Sequence, residues 1–257
     1  MTDSKTIVLI SGANRGLGRG LLENYLAQPN HTVIAANRAP SPATAKELQH
    51  LPAGPGSKVV IVKLDASVTE DAFNAVRELQ SEGIQHLDIV IANAGVSYSF
   101  PAVKDLKVKD MQDHLVPNVY GVVNLYQATR DLLSKAAKPK FITMGSSAGW
   151  LECVTLRDGS LKQHPVPNAA YGPTKAAVHW LTKRMDGEEE KITAFVTDPG
   201  WVRTDMGNNG ARALGVGDMA PLPVEDSVSG MKKVIDVATK ESHGGQLWGW
   251  DGAKQQW

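Results

Sequence analysis

The feature that most constrains this chain is a break in its first apolar run. Residues 6–10 read as a buried strand, which runs into three glycines, Gly12, Gly16 and Gly18. The chain then passes directly into Leu17, Leu21, Leu22, Tyr25 and Leu26, an apolar set at helical spacing that Pro29 ends. Strand, glycine loop and helix together aim unpaired backbone N–H groups and the positive end of a helix dipole at a phosphate. Glycine is needed because a Cβ would hold a pyrophosphate away from the backbone. The spacing is G-x-x-x-G-x-G, not the general dinucleotide fingerprint G-x-G-x-x-G. A tight turn also uses glycines, so the position between strand and helix carries the reading.

The 257 residues suit one large α/β domain, and 42% hydrophobic residues are enough for a full core without a staple or a metal. Lys+Arg and Asp+Glu balance at 27 each, so no global field favours nucleic acid or an anionic membrane. No apolar run approaches the roughly 18 residues of a membrane span. The first residues lead straight into a strand, with no room for a signal peptide. The single cysteine, Cys153, excludes an internal disulfide and a thiolate metal cluster. A soluble, cytoplasmic chain without a metal is expected.

Six further apolar runs follow, at 32–36, 58–64, 87–92, 140–145, 192–197 and 246–250. Between them the spacing predicts a helix-and-loop connection over 39–56 and an amphipathic helix led by a Ser67-Val-Thr-Glu70 capping box. It also predicts a long helical region over 108–137 bent near Pro117, and helices over 171–185 and 224–238. Strands alternating with helices mean right-handed βαβ crossovers and a parallel sheet covered on both faces. The expected fold is a single-domain, doubly wound, mostly parallel seven-stranded sheet over residues 1–257.

In such a sheet, ligands sit at the carboxyl ends of the strands. Polar groups fall at six of these ends: the 12–18 loop, Arg38, Asp65, Asn93 to Gly95, Ser146 with Ser147, and Pro199 to Thr204. Each alone fits an ordinary turn; six together point to one cleft. NAD-specific sites place an acid at the end of the second strand, on the ribose 2′-hydroxyl. Here that position reads Ala35-Ala36-Asn37-Arg38. A guanidinium binds a 2′-phosphate that a carboxylate would repel, and Arg15 could add a second positive charge. These features favour NADP(H). Asp65 fits either an acceptor for the adenine amino group or a helix N-terminal acid.

Tyr171-Gly-Pro-Thr-Lys175 places a phenol and an ammonium at i and i+4, on one face of a helix start. The phenol's usual pKa, near 10, is too high for easy proton exchange at neutral pH, and a neighbouring ammonium lowers it. A half-buried tyrosine beside an exposed lysine is the plain alternative. Ser147, at a strand end, and Asn118, in the long helical region, sharpen the chemical reading.

As a set, Ser11-Gly12-x-x-x-Gly16-x-Gly18, Asn93-Ala94-Gly95, Asn118, Gly145-Ser-Ser147, Tyr171-x-x-x-Lys175 and Pro199-Gly200-x-x-x-Thr204 resemble the motif series of the short-chain dehydrogenase/reductase family. The resemblance spans residues 6 to about 252, in order. Asp198-Pro-Gly-Trp-Val-Arg-Thr-Asp-Met-Gly207 and the Trp-rich end closing on Trp257 are similar to the carbonyl reductase branch that includes fungal norsolorinic acid ketoreductase.

The resemblance implies a role for each matching residue. Tyr171 would protonate a carbonyl oxygen as hydride arrives from the nicotinamide. Lys175 would lower the Tyr171 pKa and hold the nicotinamide ribose. Ser147, with Ser146 as the neighbouring alternative, would bind the substrate oxygen, and Asn118 would hold a water in a proton relay to Lys175. The cofactor set is Gly12, Asn14, Arg15, Gly16, Leu17, Gly18, Arg38, Asp65, Asn93, Ala94, Gly95, Tyr171, Lys175, Pro199, Gly200, Val202 and Thr204. Pairing into dimers or tetramers would run through helices near 118–133 and 171–185.

The sequence departs from that family pattern in three places. Ser11 replaces the usual threonine and keeps the hydroxyl. An insert at 151–170 carries an Asp158-Gly159 turn between apolar residues, which predicts a β-hairpin that either walls the pocket or stands off the surface. His164, on that insert, reads as a surface residue. The glycine-rich stretch 205–222 reads as a lid over an apolar substrate, with Met206, Leu214 and Met219, or as an ordinary long loop.

The expected activity is NADPH-dependent reduction of a bulky, aromatic or polyketide-like ketone, a small-molecule substrate suggested by Trp150, Trp201, Met206 and the C-terminal tryptophans. Trp180 is assigned to a packed helix. A catalytically silent NADP(H)-sensing protein needs only the glycine loop and Arg38. An NAD-dependent alcohol dehydrogenase would show no preference for the 2′-phosphate.

Overall fold

The computed structural model describes residues 5–39, 41–151 and 166–257. The first six strands are β1 (Thr6–Ser11), β2 (His31–Asn37), β3 (Lys58–Lys63), β4 (Ile89–Ala92), β5 (Lys140–Met144) and β6 (Thr193–Asp198). Two short ones, β7 (Leu247–Gly249) and β8 (Lys254–Gln255), complete one sheet in the order β3-β2-β1-β4-β5-β6-β7-β8. Pairing is parallel through β7. The chain winds outward from β1 to β3, then crosses back to β4 and winds the other way. The order therefore reverses between β1 and β4, which opens a crevice at the carboxyl ends of those strands.

The eighth strand is a correction to the expected seven. β8 pairs antiparallel with β7, Leu247 opposite Gln255, across a turn at Asp251-Gly252 where Gly252 has φ +82°. Two residues are too few to show alternation, but the Asp-Gly pair was a turn signal in plain sight.

Period-two alternation puts each strand to work on both faces. Leu9, Ile34, Val90, Phe141 and Ala194 pack on one side with Leu79, Leu125, Leu132 and Val178. Val8, Ile10, Val33, Ile91, Ile142 and Phe195 pack on the other with Leu21, Tyr25, Leu48, Met231 and Ile235. The helices supplying these partners are α1 (Gly16–Leu26), α2 (Pro42–Gln49), α3 (Thr69–Ser81), α5 (Gly121–Leu133), α6 (Gly172–Glu188) and α8 (Val224–Val237), and the chain also forms α4 (Val108–Leu115), α7 (Asp205–Ala213) and the short α9 (Lys240–His243). Among the described residues, no helix is long and apolar enough to cross a membrane.

The Ser67 capping box does not form. α3 starts one residue later than the box requires, with Val68 at its N-cap position and no side-chain cap. Ser67 instead donates its N–H to Asp65 Oδ1 at 2.9 Å, and Asp71 in the first turn accepts from the Asp65 N–H at 3.0 Å. The long region around Pro117 is two helices joined by a π-helical turn, Val116–Tyr120. Proline has no N–H for an α-helical bond, and the wider turn accommodates it. The stretch 205–222 opens with helix α7 rather than with loop. Thr204 caps it, accepting from Gly207 N at 3.1 Å, and Asn208 Oδ1 accepts from Ala220 N at 3.0 Å. Gly207 is needed for close packing, because a Cβ there would lie 2.0 Å from the Val202 carbonyl oxygen. Most of the 151–170 insert, with its predicted hairpin, Cys153 and His164, lies outside the described residues.

Candidate active site

The glycine loop at the end of β1 is held from behind by Asn93. Its side-chain amide donates to the Ser11 carbonyl at 2.8 Å and the Gly12 carbonyl at 3.2 Å. The Ser11 hydroxyl accepts from the Asn93 and Ala94 N–H groups at 3.1 and 3.0 Å, which uses the hydroxyl that serine and threonine share. Gly12 and Gly16 adopt φ of +68° and +54°, and a Cβ on Gly18 would lie 2.2 Å from the Gly12 carbonyl oxygen. Behind this loop α1 begins at Arg15 with no side-chain cap and no acid in its first turn. Its leading N–H groups thus fit an anion. That cradle suits the pyrophosphate of a dinucleotide.

At the end of β2, Asn37 is buried and Arg38 is exposed. Arg15 is exposed as well, and reaches across to Asp205 at the start of α7, with Nη1 to Oδ2 at 3.3 Å. A pair this solvated holds with about 1 kcal/mol or less, so it yields readily to a phosphate. Asn14 is exposed and Leu17 half-buried on the same loop. Asp65 turns the chain after β3, its Oδ1 accepting from the Ser67 N–H at 2.9 Å.

A continuous set of bonds links this loop to the catalytic candidates. Gly95 lies against Asn118, where an added Cβ would meet Oδ1 at 3.2 Å. Buried Asn118 grips the next residue twice, accepting from Val96 N at 2.8 Å and donating to Val96 O at 2.9 Å. It also donates to Thr174 Oγ1 at 3.1 Å, and Thr174 in turn donates to the Tyr171 carbonyl at 2.7 Å. The π-helical turn presents Asn118 to both partners. On the far wall, Gly16 faces Thr204, whose Cγ2 would sit 3.2 Å from an added Cβ, and Gly200 turns the chain there with φ +76°. Val202 is buried beside it and bridges Leu222.

Helix α6 holds the end of β5 with three successive turns. Tyr171 stands just ahead of α6, with the Ser146 hydroxyl near enough to favour its ionised form. One turn on, Lys175 Nζ donates to the Met144 carbonyl at 2.8 Å and lies 5.4 Å from the centre of the Tyr171 ring. A further turn on, His179 Nε2 accepts from the Ser146 N–H at 3.3 Å. Ser146 is the neighbouring serine whose hydroxyl bears on the proton affinity of the phenol. Ser147 is exposed, and its backbone N–H favours the ionised form of Asp198.

Burial pushes the Tyr171 phenol well above its usual pKa, and the Asp198 carboxylate pushes the same way; the Ser146 hydrogen bond pulls it back. In the protein alone, burial outweighs the lowering expected from Lys175. Burial brings Lys175 down to about 8, against the upward pull of Asp198. His179 is brought down to about 3 by burial and by the charge on Lys175, so it is neutral at physiological pH, as an acceptor must be.

Sequence reasoning passed over His179 and Asp198. The first lies four residues beyond Lys175, the same step that linked Tyr171 to Lys175. The second is a charge at the end of an otherwise uncharged strand. The tryptophans divide by place. Trp201 is 39% exposed beside Met206, with Nε1 on the Gly207 carbonyl at 3.0 Å. Trp248 stacks on His243, Trp250 packs on Gly200 and Gly230, and Trp257 lies against His179. Trp180 departs from its assignment to a packed helix: it is on α6, but 65% exposed.

A doubly wound sheet with a glycine loop at its first strand and a Tyr–Lys pair at the same edge defines a dinucleotide-binding oxidoreductase class. The family model for short chain dehydrogenase matches residues 6–214. Norsolorinic acid ketoreductase nor1 of Dothistroma septosporum is 40% identical over 260 residues, covering 99% of this chain and 94% of the relative. The norsolorinic acid ketoreductase of Aspergillus parasiticus is 38% identical over 245 residues, covering 95% and 88%. NADPH-bound carbonyl reductase from chicken fatty liver superposes with a TM-score of 0.82 at 28% identity, covering 99% of this chain and all of that one. The chain belongs to the short-chain dehydrogenase family, whose members use nicotinamide cofactors.

Proposed function

We propose that this protein reduces a ketone on a bulky aromatic, polyketide-like substrate, with NADPH as the hydride source and Tyr171 as the general acid. The observation that carries the reading is the constellation of Tyr171, Ser146 and Lys175 on the strand-end edge that also holds the glycine loop. Two relatives above 35% identity are named for ketone reduction on norsolorinic acid, and the similar carbonyl reductase is NADPH-bound. An arginine where NAD enzymes carry an acid supports the 2′-phosphate.

When bound, the reduced nicotinamide supplies the hydride to the carbonyl carbon. The loop from Gly12 to Gly18, with the first turn of α1, would hold the pyrophosphate. Arg38 and Arg15 would hold the 2′-phosphate, and Gly200, Val202 and Thr204 the nicotinamide side. The Tyr171 phenol keeps its proton through neutral pH and donates it to the carbonyl oxygen as negative charge builds there. The Ser146 hydroxyl, which favours the ionised phenol, would hold that oxygen; we propose Ser146 for this role in place of Ser147. Lys175 returns a proton to Tyr171, and Asn118 fixes the start of α6 through Thr174. Trp201, Met206 and Met219 would cover the apolar body of the substrate, with α7 and the loop to residue 222 as the lid. Exposed Tyr120 and Trp180 lie on the helical regions through which we place any pairing of subunits.

The test is NADPH consumption with a panel of polycyclic aromatic ketones, with the alcohol products isolated. Turnover of at least one such ketone is expected. Tight NADPH binding without turnover across the panel would overturn the enzyme reading and favour a cofactor sensor.

A further inference from the structure

Asp198 is a carboxylate in a place that ordinarily excludes one. It closes β6, is 5% exposed, and sits among groups that the proposed chemistry uses. Burying a charge is costly unless hydrogen bonds and an opposite charge offset it. Both are present. Oδ1 accepts the Gly200 N–H at 2.9 Å, and the Ser147 N–H also favours the ionised carboxylate. One side chain thus ties the turn after β5, which carries Ser146, to the turn after β6, which leads to Thr204. Its own carbonyl accepts from Trp250 N at 2.9 Å, which fixes the third strand end beside it.

The charges around it come from two directions. From α6, Lys175 faces it as the cation, and the Tyr171 phenol lies within its field. From the turn after β7, Asp251 faces it as a second carboxylate and opposes its ionisation. Met144, whose carbonyl takes the Lys175 ammonium, pairs with Thr197, the residue before Asp198. The carbonyl that takes the lysine and the carboxylate therefore stand on two neighbouring strand ends.

We propose that Asp198 is a positioning residue for the reduction, the buried counter-charge to Lys175 and the tie that holds the Ser146 turn in register with the Gly200 turn. This rests on the proposed reductase activity for its catalytic part only. The sign follows from the charge. Without it, the protonated lysine loses its partner and the tyrosinate loses its repulsion, so both groups release their protons at lower pH. Lys175 is pulled down by burial already, and Asp198 is the charge that opposes this.

The experiment compares Asp198→Asn with wild type. The amide keeps an oxygen for Gly200 and removes the charge. The Lys175 titration is read by NMR on lysine labelled with carbon-13 at Cε, its signal assigned by its loss in Lys175→Arg. This readout needs no turnover, so it stands apart from the reductase reading. The midpoint is expected to fall by about one pH unit in Asp198→Asn. The alkaline limb of the rate of NADPH-driven ketone reduction is expected to move down with it, with NADPH affinity changed by less than about threefold. Asp198→Ser, smaller and still an acceptor for Gly200, serves the same comparison if the amide variant is not recovered folded. A lysine midpoint that does not move, or a rate profile that stays in place while the midpoint moves, overturns the proposal. Absence of ketone reduction in wild type would overturn the reductase reading and leave the lysine titration to decide the electrostatic part.

Discussion

The two halves of the cleft are built from different materials. On the β1–β2 side, the working parts are backbone N–H groups, glycines and exposed arginines; the ion pair there, Arg15 to Asp205, joins side chains 73% and 78% exposed. On the β5–β6 side, the working parts are titratable side chains taken out of water: Lys175, His179 and Asp198 are each less than 10% exposed. The first half recognises by shape and long-range charge. The second sets proton affinities by burial, where each neighbouring charge acts at low dielectric. Changes in the first half should therefore alter what binds, and changes in the second should alter what happens to the proton.

The largest effect expected in the binding half is from Gly18→Ala. Its Cβ would lie 2.2 Å from the Gly12 carbonyl oxygen and 2.6 Å from Asn93 Nδ2, so the loop must rearrange. NADPH affinity measured by calorimetry should fall by about 10³-fold or more, the loss of several charge-assisted hydrogen bonds. Affinity close to wild type would mean that the loop does not carry the pyrophosphate. In the catalytic half, Ser146→Ala should lower kcat by about 10²-fold, in the range of one oxyanion donor, while Ser147→Ala should change it far less. The reverse order would return the role to Ser147.

Arg38→Asp turns attraction for a 2′-phosphate into repulsion. The ratio of kcat/KM for NADPH over NADH should fall by about 10 to 100-fold with kcat little changed, one charge-assisted hydrogen bond being about 1.5–3 kcal/mol. An unchanged ratio would remove Arg38 from cofactor choice. The smallest effect concerns stability. His179 has its folded pKa depressed to about 3, while an unfolded histidine titrates near 6.5. Between these values the unfolded chain binds the extra proton, so His179 costs stability as pH falls through that window, by at most about 1.4 kcal/mol per pH unit. His179→Asn should flatten the acid side of a urea-denaturation profile between pH 6 and 4. A slope equal to wild type would place the acid sensitivity elsewhere.

Legibility in the sequence follows the same division. Each part of the binding half is local. The glycine loop and its helix lie within residues 6–26, and the missing acid after β2 can be seen in four letters. The doubly wound, mostly parallel sheet followed from strands alternating with helices, and the two-residue β8 escaped that reading. The catalytic half is assembled from residues far apart in the chain. Which of two adjacent serines works with Tyr171 depends on how β5 ends and turns, which no spacing records; our proposal of Ser146 rests on its effect on the phenol. The direction of the Tyr171 pKa was read from one neighbour, Lys175, because burial has no local signature. Asp198 escaped for the same reason, since its partners, Ser147 and Lys175, come from other elements. The glycines of 205–222 looked like loop, yet Gly207 is there because α7 packs closely on the Val202 carbonyl.

The central claim is that binding and proton transfer are separable, and Tyr171→Phe tests it most directly. One hydroxyl is removed from the catalytic half and nothing from the glycine loop. With kcat and NADPH affinity measured on the same preparation, kcat should fall by about 10²–10⁴-fold, the range of a lost general acid, and the NADPH dissociation constant should stay within about threefold. Turnover comparable to wild type, or a loss of NADPH binding as large as the loss of turnover, would contradict the account.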